Sequence, residues 1–217
     1  MGKEFNNLKI EVRPIRQNEK VVRAAVKEFA KANVPGITEC QLGDLEVCVS
    51  EAFSNAVEYG LPDGKDGMVS VIVQLRDRYF LTLIVRDNGK GIENIKKAMK
   101  PMYTTGGKSH SGMGFTIMES FSNKLSVKSK PGAGTVITMY FDYQPEIKEG
   151  MTVWLTGDSA DLGIADYNVR VGSAATVVRT PNKSDREVLV TIARIDGDCN
   201  VTTYVKRRAL KFEEEIW

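Results

Sequence analysis

The 217-residue chain carries 30 Lys+Arg against 28 Asp+Glu, a formal net charge of +2, with 42% hydrophobic and 27% charged residues. That balance excludes a disordered polyelectrolyte and argues against a dedicated nucleic-acid or membrane-surface binder. A single histidine, His110, and three cysteines without a CxxC pair (Cys40, Cys48, Cys199) argue against His-based hydrolysis, zinc chemistry and a disulfide framework. The opening MGKEFNNLKIEVRP has no apolar signal core and no run suits a membrane span, so a reduced, cytoplasmic chain is expected.

In chain order, Leu8-Lys-Ile-Glu-Val12 alternates as a half-buried strand. Asn18 is the expected N-cap of a helix with Val22, Ala25, Val26, Phe29 and Ala30 on one face, closed by Pro35-Gly36. Thr38-Glu-Cys-Gln41 has capping-box spacing and opens a long helix with the stripe Leu42, Leu45, Val49, Ala52, Phe53 and Ala56. Gly60 is its expected left-handed cap. Val69 to Leu75 and Tyr79 to Val85 read as a hairpin turning at Asp77-Arg78. Ile92 to Met99 and Gly114 to Phe121 read as short helices, and Leu125 to Ser129 and Thr135 to Phe141 as strands around Pro131-Gly-Ala-Gly134. The order β-α-α-β-β-α-α-β-β with tight turns predicts an α+β fold, a two-layer α/β sandwich with a mostly antiparallel sheet and helices on one face.

The pattern changes near Pro145. Residues 146–217 carry a net charge of −2 and residues 1–145 carry +4. Short β-rich runs dominate the later part: Met151 to Leu155, Ala174 to Arg179, Glu187 to Arg194 and Thr202 to Val205. Lys206 to Leu210 reads as a one-turn closing helix, and Glu213-Glu-Glu-Ile-Trp217 as an acidic end. Two domains are expected, 1–145 and 146–217, the second a small all-β barrel. Val171-Gly-Ser-Ala-Ala-Thr-Val-Val178 resembles the turn and strand of KOW-type barrels. Such barrels mostly bind protein or nucleic acid, and the negative charge favours protein. A passive oligomerisation or stability module fits the same residues.

Three features of the first part can carry chemistry. Glu51 and Asn55 lie four apart on the long helix, with Glu58 on the same polar stripe. Glu suits a general base and Asn a neutral ligand for a hard cation that also holds phosphate; a solvated helix face fits equally. Asp87-Asn-Gly89-Lys-Gly91 follows a strand, so an acceptor stands beside two glycines that admit close ligand approach; an ordinary Asx turn is the alternative. Ser111-Gly112-Met113-Gly114 opens a helix whose N–H groups and dipole suit an anion, and a plain glycine-rich connection is the alternative. Met102 to His110, between the last two features, has the polar, glycine-containing composition of a lid.

Taken in order, these features resemble the N, G1 and G2 boxes of the GHKL ATP-binding superfamily. Ser50-Glu-Ala-Phe-Ser-Asn-Ala-Val57, Pro101-Met-Tyr-Thr-Thr105, Ser111-Gly-Met-Gly-Phe-Thr-Ile-Met-Glu119 and Gln17-Asn-Glu-Lys-Val-Val-Arg23 are similar to the anti-sigma F factor/serine kinase branch over roughly residues 5–142. The resemblance implies ATP/ADP bound with Mg²⁺ on Asn55, and the adenine amine held by Asp87 with Thr135 nearby. It implies a pocket shaped by Gly89 and Gly91, and phosphates lined by Thr105, Gly112, Met113 and Gly114. Glu51 is implied as the base for a serine hydroxyl, and Arg23 as a contact for a sigma factor and an anti-anti-sigma factor. A homodimer is implied as well, with no direct nucleic-acid contact by the kinase domain.

One departure bears on activity. The family pattern has Arg before Ser-Gly-Met-Gly where this chain has His110, and the lid is shorter. A guanidinium fork grips a terminal phosphate and a neutral imidazole does not; Lys108 offers only a point charge. The resulting alternative is a nucleotide-gated sigma-binding module with little or no kinase activity. A general GHKL ATPase is disfavoured as an expectation because the chain holds no transducer domain long enough to couple hydrolysis to work.

Overall fold

The computed structural model describes residues 4–61, 67–76, 78–104, 111–156, 172–182, 185, 187–193 and 200–211. Thr105, Lys108, His110, Asp77, Val171, Cys199 and the acidic end 213–217 lie outside them. The chain divides into two compact units, Met1–Gln144 and Pro145–Trp217. Among the described residues, no helix is long and apolar enough to cross a membrane.

The first unit runs β1 (Glu4–Val12), α1 (Gln17–Asn33), α2 (Glu39–Asn55), β2 (Val69–Arg76), β3 (Phe80–Asp87), α3 (Ile95–Ala98), α4 (Gly114–Phe121), β4 (Lys124–Ser129) and β5 (Thr135–Asp142). The sheet order is β1-β2-β3-β5-β4, every neighbour antiparallel. The period-two pattern aligns across strands: Val71 faces Val85, Val85 faces Ile137 and Ile137 faces Val127. This in-register apolar face packs under Val22, Val26 and Ala30 of α1 and Leu42, Leu45, Val49 and Phe53 of α2, all buried. The result is the expected α+β two-layer sandwich.

Helix α2 starts where its sequence says. Thr38 Oγ1 accepts from Gln41 N at 3.2 Å, and Thr38 N donates to Gln41 Oε1 at 2.9 Å. Two otherwise orphaned amides are thereby satisfied. Thr38→Ala is expected to destabilise the first unit by about 1 kcal/mol in a denaturant titration.

Three local expectations are corrected. Asn18 is not an N-cap: α1 begins at Gln17, two residues earlier than that cap implies, with Arg16 at the cap position, and Asn18 Nδ2 donates to Arg13 O at 2.9 Å. The backbone bond from Asn18 N to Ile15 O already turns the chain into the helix. The first short helix, expected over Ile92 to Met99, covers only Ile95–Ala98, because Asn94 caps it through Lys97 N, and Ile92 N is held by Ser129 Oγ at 2.8 Å. Gly60 is not left-handed, since α2 runs into a π-helical turn, Ala56–Gly60, closed by Leu61 N to Ala56 O at 2.8 Å.

The second unit is all β among its described residues, apart from one 3₁₀ turn. Strands β6 (Thr152–Leu155), β7 (Ala174–Val177), β8 (Glu187–Ala193), β9 (Asn200–Lys206) and β10 (Leu210–Lys211) form an antiparallel sheet in the order β10-β6-β7-β8-β9. The turn, Arg207–Ala209, returns the chain so that Leu210 pairs with Leu155. Val153, Leu155, Val177, Val188, Val190 and Ile192 form the inner face.

Candidate functional site

A cleft of about 720 Å³ opens in the first unit, walled by α2 and its π turn, the end of β3, α3, the start of α4 and β5. Its size suits a small organic ligand, for which roughly 300–1,000 Å³ is usual. Glu51, Asn55, Asp87, Gly91 and Thr135 line it, as do Gly112 and Gly114. Gly89 and Met113 flank it without lining it, and Arg23 lies elsewhere.

At one end stands Asp87, only 5% exposed, with Thr135 at 7%. Burial raises the Asp87 carboxyl above its ordinary range, partly offset by the N–H groups of Gly89 and Thr135. Gly89 N donates to Asp87 Oδ1 at 2.9 Å. Ser129 Oγ donates its one hydrogen to Gly134 O at 2.9 Å, so the 3.0 Å contact between Ser129 and Thr135 uses the Thr135 hydrogen. The Thr135 hydroxyl oxygen is then left as an acceptor beside the Asp87 carboxylate. Two adjacent acceptors form a receptor for an N–H donor on a ligand.

The π turn explains Gly60. A Cβ there would sit 2.8 Å from Asp87 Oδ1, and one on Gly89 would sit 2.0 Å from Gly60 O. Lys90 N donates to that same Gly60 carbonyl at 3.0 Å. The wide turn thus delivers a bare backbone against the loop after β3, and no side chain fits between them. Gly91, at φ 71°, abuts the Lys130 carbonyl in the same way. π turns inside α-helices frequently mark functional sites.

At the other end, α4 starts at Gly114 with Met113 at its N-cap and no side-chain cap. Its leading amides remain available to an anion. A Cβ on Gly114 would lie 2.8 Å from Glu51 Oε2 and 3.4 Å from Asn55 Nδ2, so glycine lets the helix start abut α2. Asn55 Nδ2 is buried without a hydrogen-bond partner among the described residues. Burial, and then the neighbouring Glu58 charge, raise the Glu51 carboxyl. A partly desolvated carboxylate beside an uncapped helix N-terminus pairs a proton acceptor with an anion cradle.

Tyr59, Lys90, Lys97 and Tyr103 also line the cleft and were not read from sequence as site residues. Tyr59 follows Asn55 by four, a spacing that carried the signal. Its hydroxyl meets Thr104 Oγ1 at 3.0 Å, and Lys97 Nζ stands 5.1 Å from the Tyr103 ring centre. Arg23 lies on α1, ion-paired to Glu19 at 3.3 Å, and Glu19 accepts a hydrogen bond from Ser50.

Residues 14–141 match the histidine kinase-like ATPase domain family. An anti-sigma F factor of Clostridium acetobutylicum is 41% identical over 135 residues, spanning 62% of this chain and 92% of that protein. One from Clostridium kluyveri is 42% identical over the same shares. Among solved structures, the RsbU and RsbW domains of a Mycobacterium tuberculosis protein align at 19% identity with a TM-score of 0.48, over 65% of this chain and 34% of that one. On the extent of the family match and the coverage of those relatives, the chain belongs to the histidine kinase-like ATPase family and, within it, to the anti-sigma F factors.

Proposed function

We propose that the first unit binds ATP with Mg²⁺, sequesters a sporulation-type sigma factor and phosphorylates an anti-anti-sigma protein on serine. The carrying observation is one cleft with a paired acceptor site, Asp87 and Thr135, at one end and Glu51 with Asn55 against an uncapped helix start at the other. Adenine places its exocyclic amine on Asp87 and Thr135, in a pocket shaped by Gly89 and Gly91. Thr105, Gly112, Met113 and Gly114 line the phosphates, partly through backbone N–H groups.

Asn55 would hold the metal through its amide oxygen, while its buried Nδ2, without a partner among the described residues, is a donor suited to a phosphate oxygen. Mg²⁺ there would neutralise phosphate charge. Glu51 takes the hydroxyl proton as the serine oxygen bonds to the terminal phosphorus, the bridging P–O bond breaks and ADP leaves. Arg23, on α1 away from the cleft, serves the sigma factor and its antagonist, and the unit works as a homodimer in the cytoplasm. Residues 146–217 form a separate β unit with a protein-binding or stabilising role.

His110 in place of the family's arginine favours a second reading, nucleotide-gated sigma binding with little transfer. Labelled ATP, Mg²⁺ and an anti-anti-sigma protein separate the two: label on the partner serine supports the kinase, and tight ATP binding without label supports the gate. Asn55→Ala is expected to weaken ATP binding in Mg²⁺ roughly 100-fold, with little effect when Mg²⁺ is omitted. Isothermal titration with and without the metal reads this out. Equal losses in both conditions would remove Asn55 from the metal.

A further inference from the structure

Charge is distributed in opposite ways on the two sides of the first unit. On the α1–α2 side four cations are matched, Arg16 with Glu58, Arg23 with Glu19, Lys27 with Glu46 and Lys31 with Glu39, and among the described residues Lys20 is the unmatched one on α1. Residues 88–141 hold eight lysines, no arginine and only two carboxylates, Glu93 and Glu119. Five of those lysines, Lys90, Lys96, Lys97, Lys100 and Lys130, are exposed around the cleft mouth. Among the described residues none of the five has an ion-pair partner.

The rim is built on fixed backbone. Asn94 caps α3, which carries Lys96 and Lys97, and Tyr103 N donates to Lys100 O at 3.2 Å. Gly132 N donates to Lys90 O at 2.8 Å, fastening the turn that carries Lys130 beside the loop that carries Lys90. Lys90 and Lys97 line the cleft, whereas Lys96, Lys100 and Lys130 do not, so the positive field extends beyond what a nucleotide in the cleft would touch.

We propose that this lysine rim is the docking surface for an acidic segment of the protein substrate, next to the serine that receives phosphate. The proposal rests on the kinase reading above and deepens it. Unmatched like charges on one edge repel each other and gain most from a complementary surface, which also speeds encounter. Protein is favoured over nucleic acid by the residue types. The segment has no arginine for bidentate phosphate or base contacts, and its rim tyrosine, Tyr103, is already covered by Lys97.

The test uses the full chain loaded with a non-hydrolysable ATP analogue. The probes are a fluorescent Asp/Glu-rich serine peptide, its charge-inverted Lys-rich counterpart and a single-stranded oligonucleotide. Lys96→Glu/Lys100→Glu should weaken acidic-peptide binding by about tenfold or more and flatten its salt dependence, leaving analogue affinity unchanged. Lys96→Gln/Lys100→Gln should fall between the two. Equal peptide affinity in wild type and the Glu variant overturns the proposal. Tighter binding of the oligonucleotide than of the acidic peptide overturns it in favour of nucleic acid. Joint loss of peptide and analogue in the Gln variant overturns it by returning the rim to the nucleotide site. Rim-dependent peptide binding in a chain that transfers no phosphate would retain the docking surface and remove the kinase reading instead.

Discussion

Glu51→Gln is expected to lower phosphoryl transfer to the partner serine by about 10²–10⁴-fold, the usual contribution of a positioned base, while ATP stays bound. The same change should make the first unit more stable near neutral pH. Burial raises the Glu51 carboxyl, so the folded state holds that proton more tightly than the unfolded state. Stability from this group is therefore fully present below its unfolded pKa and declines as pH rises through the raised folded value. Glutamine removes the ionisation and with it the decline. Asp87 shifts in the same direction, so the informative quantity is the difference between variant and wild type across the carboxylate range. Wild-type transfer should run the opposite way, rising as Glu51 deprotonates. Melting curves and single-turnover rates over that range check both. A variant that transfers normally, or that melts lower at neutral pH, would remove Glu51 from the assigned role.

Gly89→Ala is expected to abolish measurable ATP binding, a loss of at least about 100-fold, and to destabilise the first unit by roughly 1–3 kcal/mol. The added Cβ would lie 2.0 Å from the Gly60 carbonyl, so the loop after β3 and the π turn must separate. Their separation breaks the Lys90 N to Gly60 O bond and displaces the Gly89 amide from Asp87. Gly43→Ala is the control of opposite sign. Gly43 lies inside α2 with nothing within 4 Å of its would-be Cβ, so alanine should stabilise by about 0.5–1 kcal/mol. Denaturation and nucleotide titration of the two variants side by side distinguish lost shape from lost helix propensity.

These contrasts show which parts of the molecule were legible in the chain. Helix α2 was, because Thr38 and Gln41 act within one turn and Leu42 to Ala56 mark one face. Strands β2, β3 and β5 were, because their alternation matches the pleat. Helix α4 was read at both ends, since Gly114 and Phe121 bound a short apolar stretch after a glycine pair. Gly60 was misread because its reason lies 27 residues away, in the Asp87 carboxylate that occupies the space of a side chain. Ser129 was unremarkable in sequence, yet it fixes the direction of the Thr135 hydroxyl. The π turn has no local signature. Glu51, Asn55, Asp87, Gly112 and Gly114 were each readable from motif spacing, whereas their gathering into one cleft needed the register of the sheet.

The return of β10 to β6 has a consequence for how the second unit comes to exist. Among the described residues, its first strand finds one neighbour, β7, along the way, but its other edge is filled only by Leu210 and Lys211, after the other strands have been made. On the ribosome, β6 therefore waits with bare amides and carbonyls along that edge. Pairings so distant in sequence close slowly, and an open strand invites a neighbouring nascent chain. The histidine kinase-like part, translated first, can be complete while its companion is still exposed to mispairing.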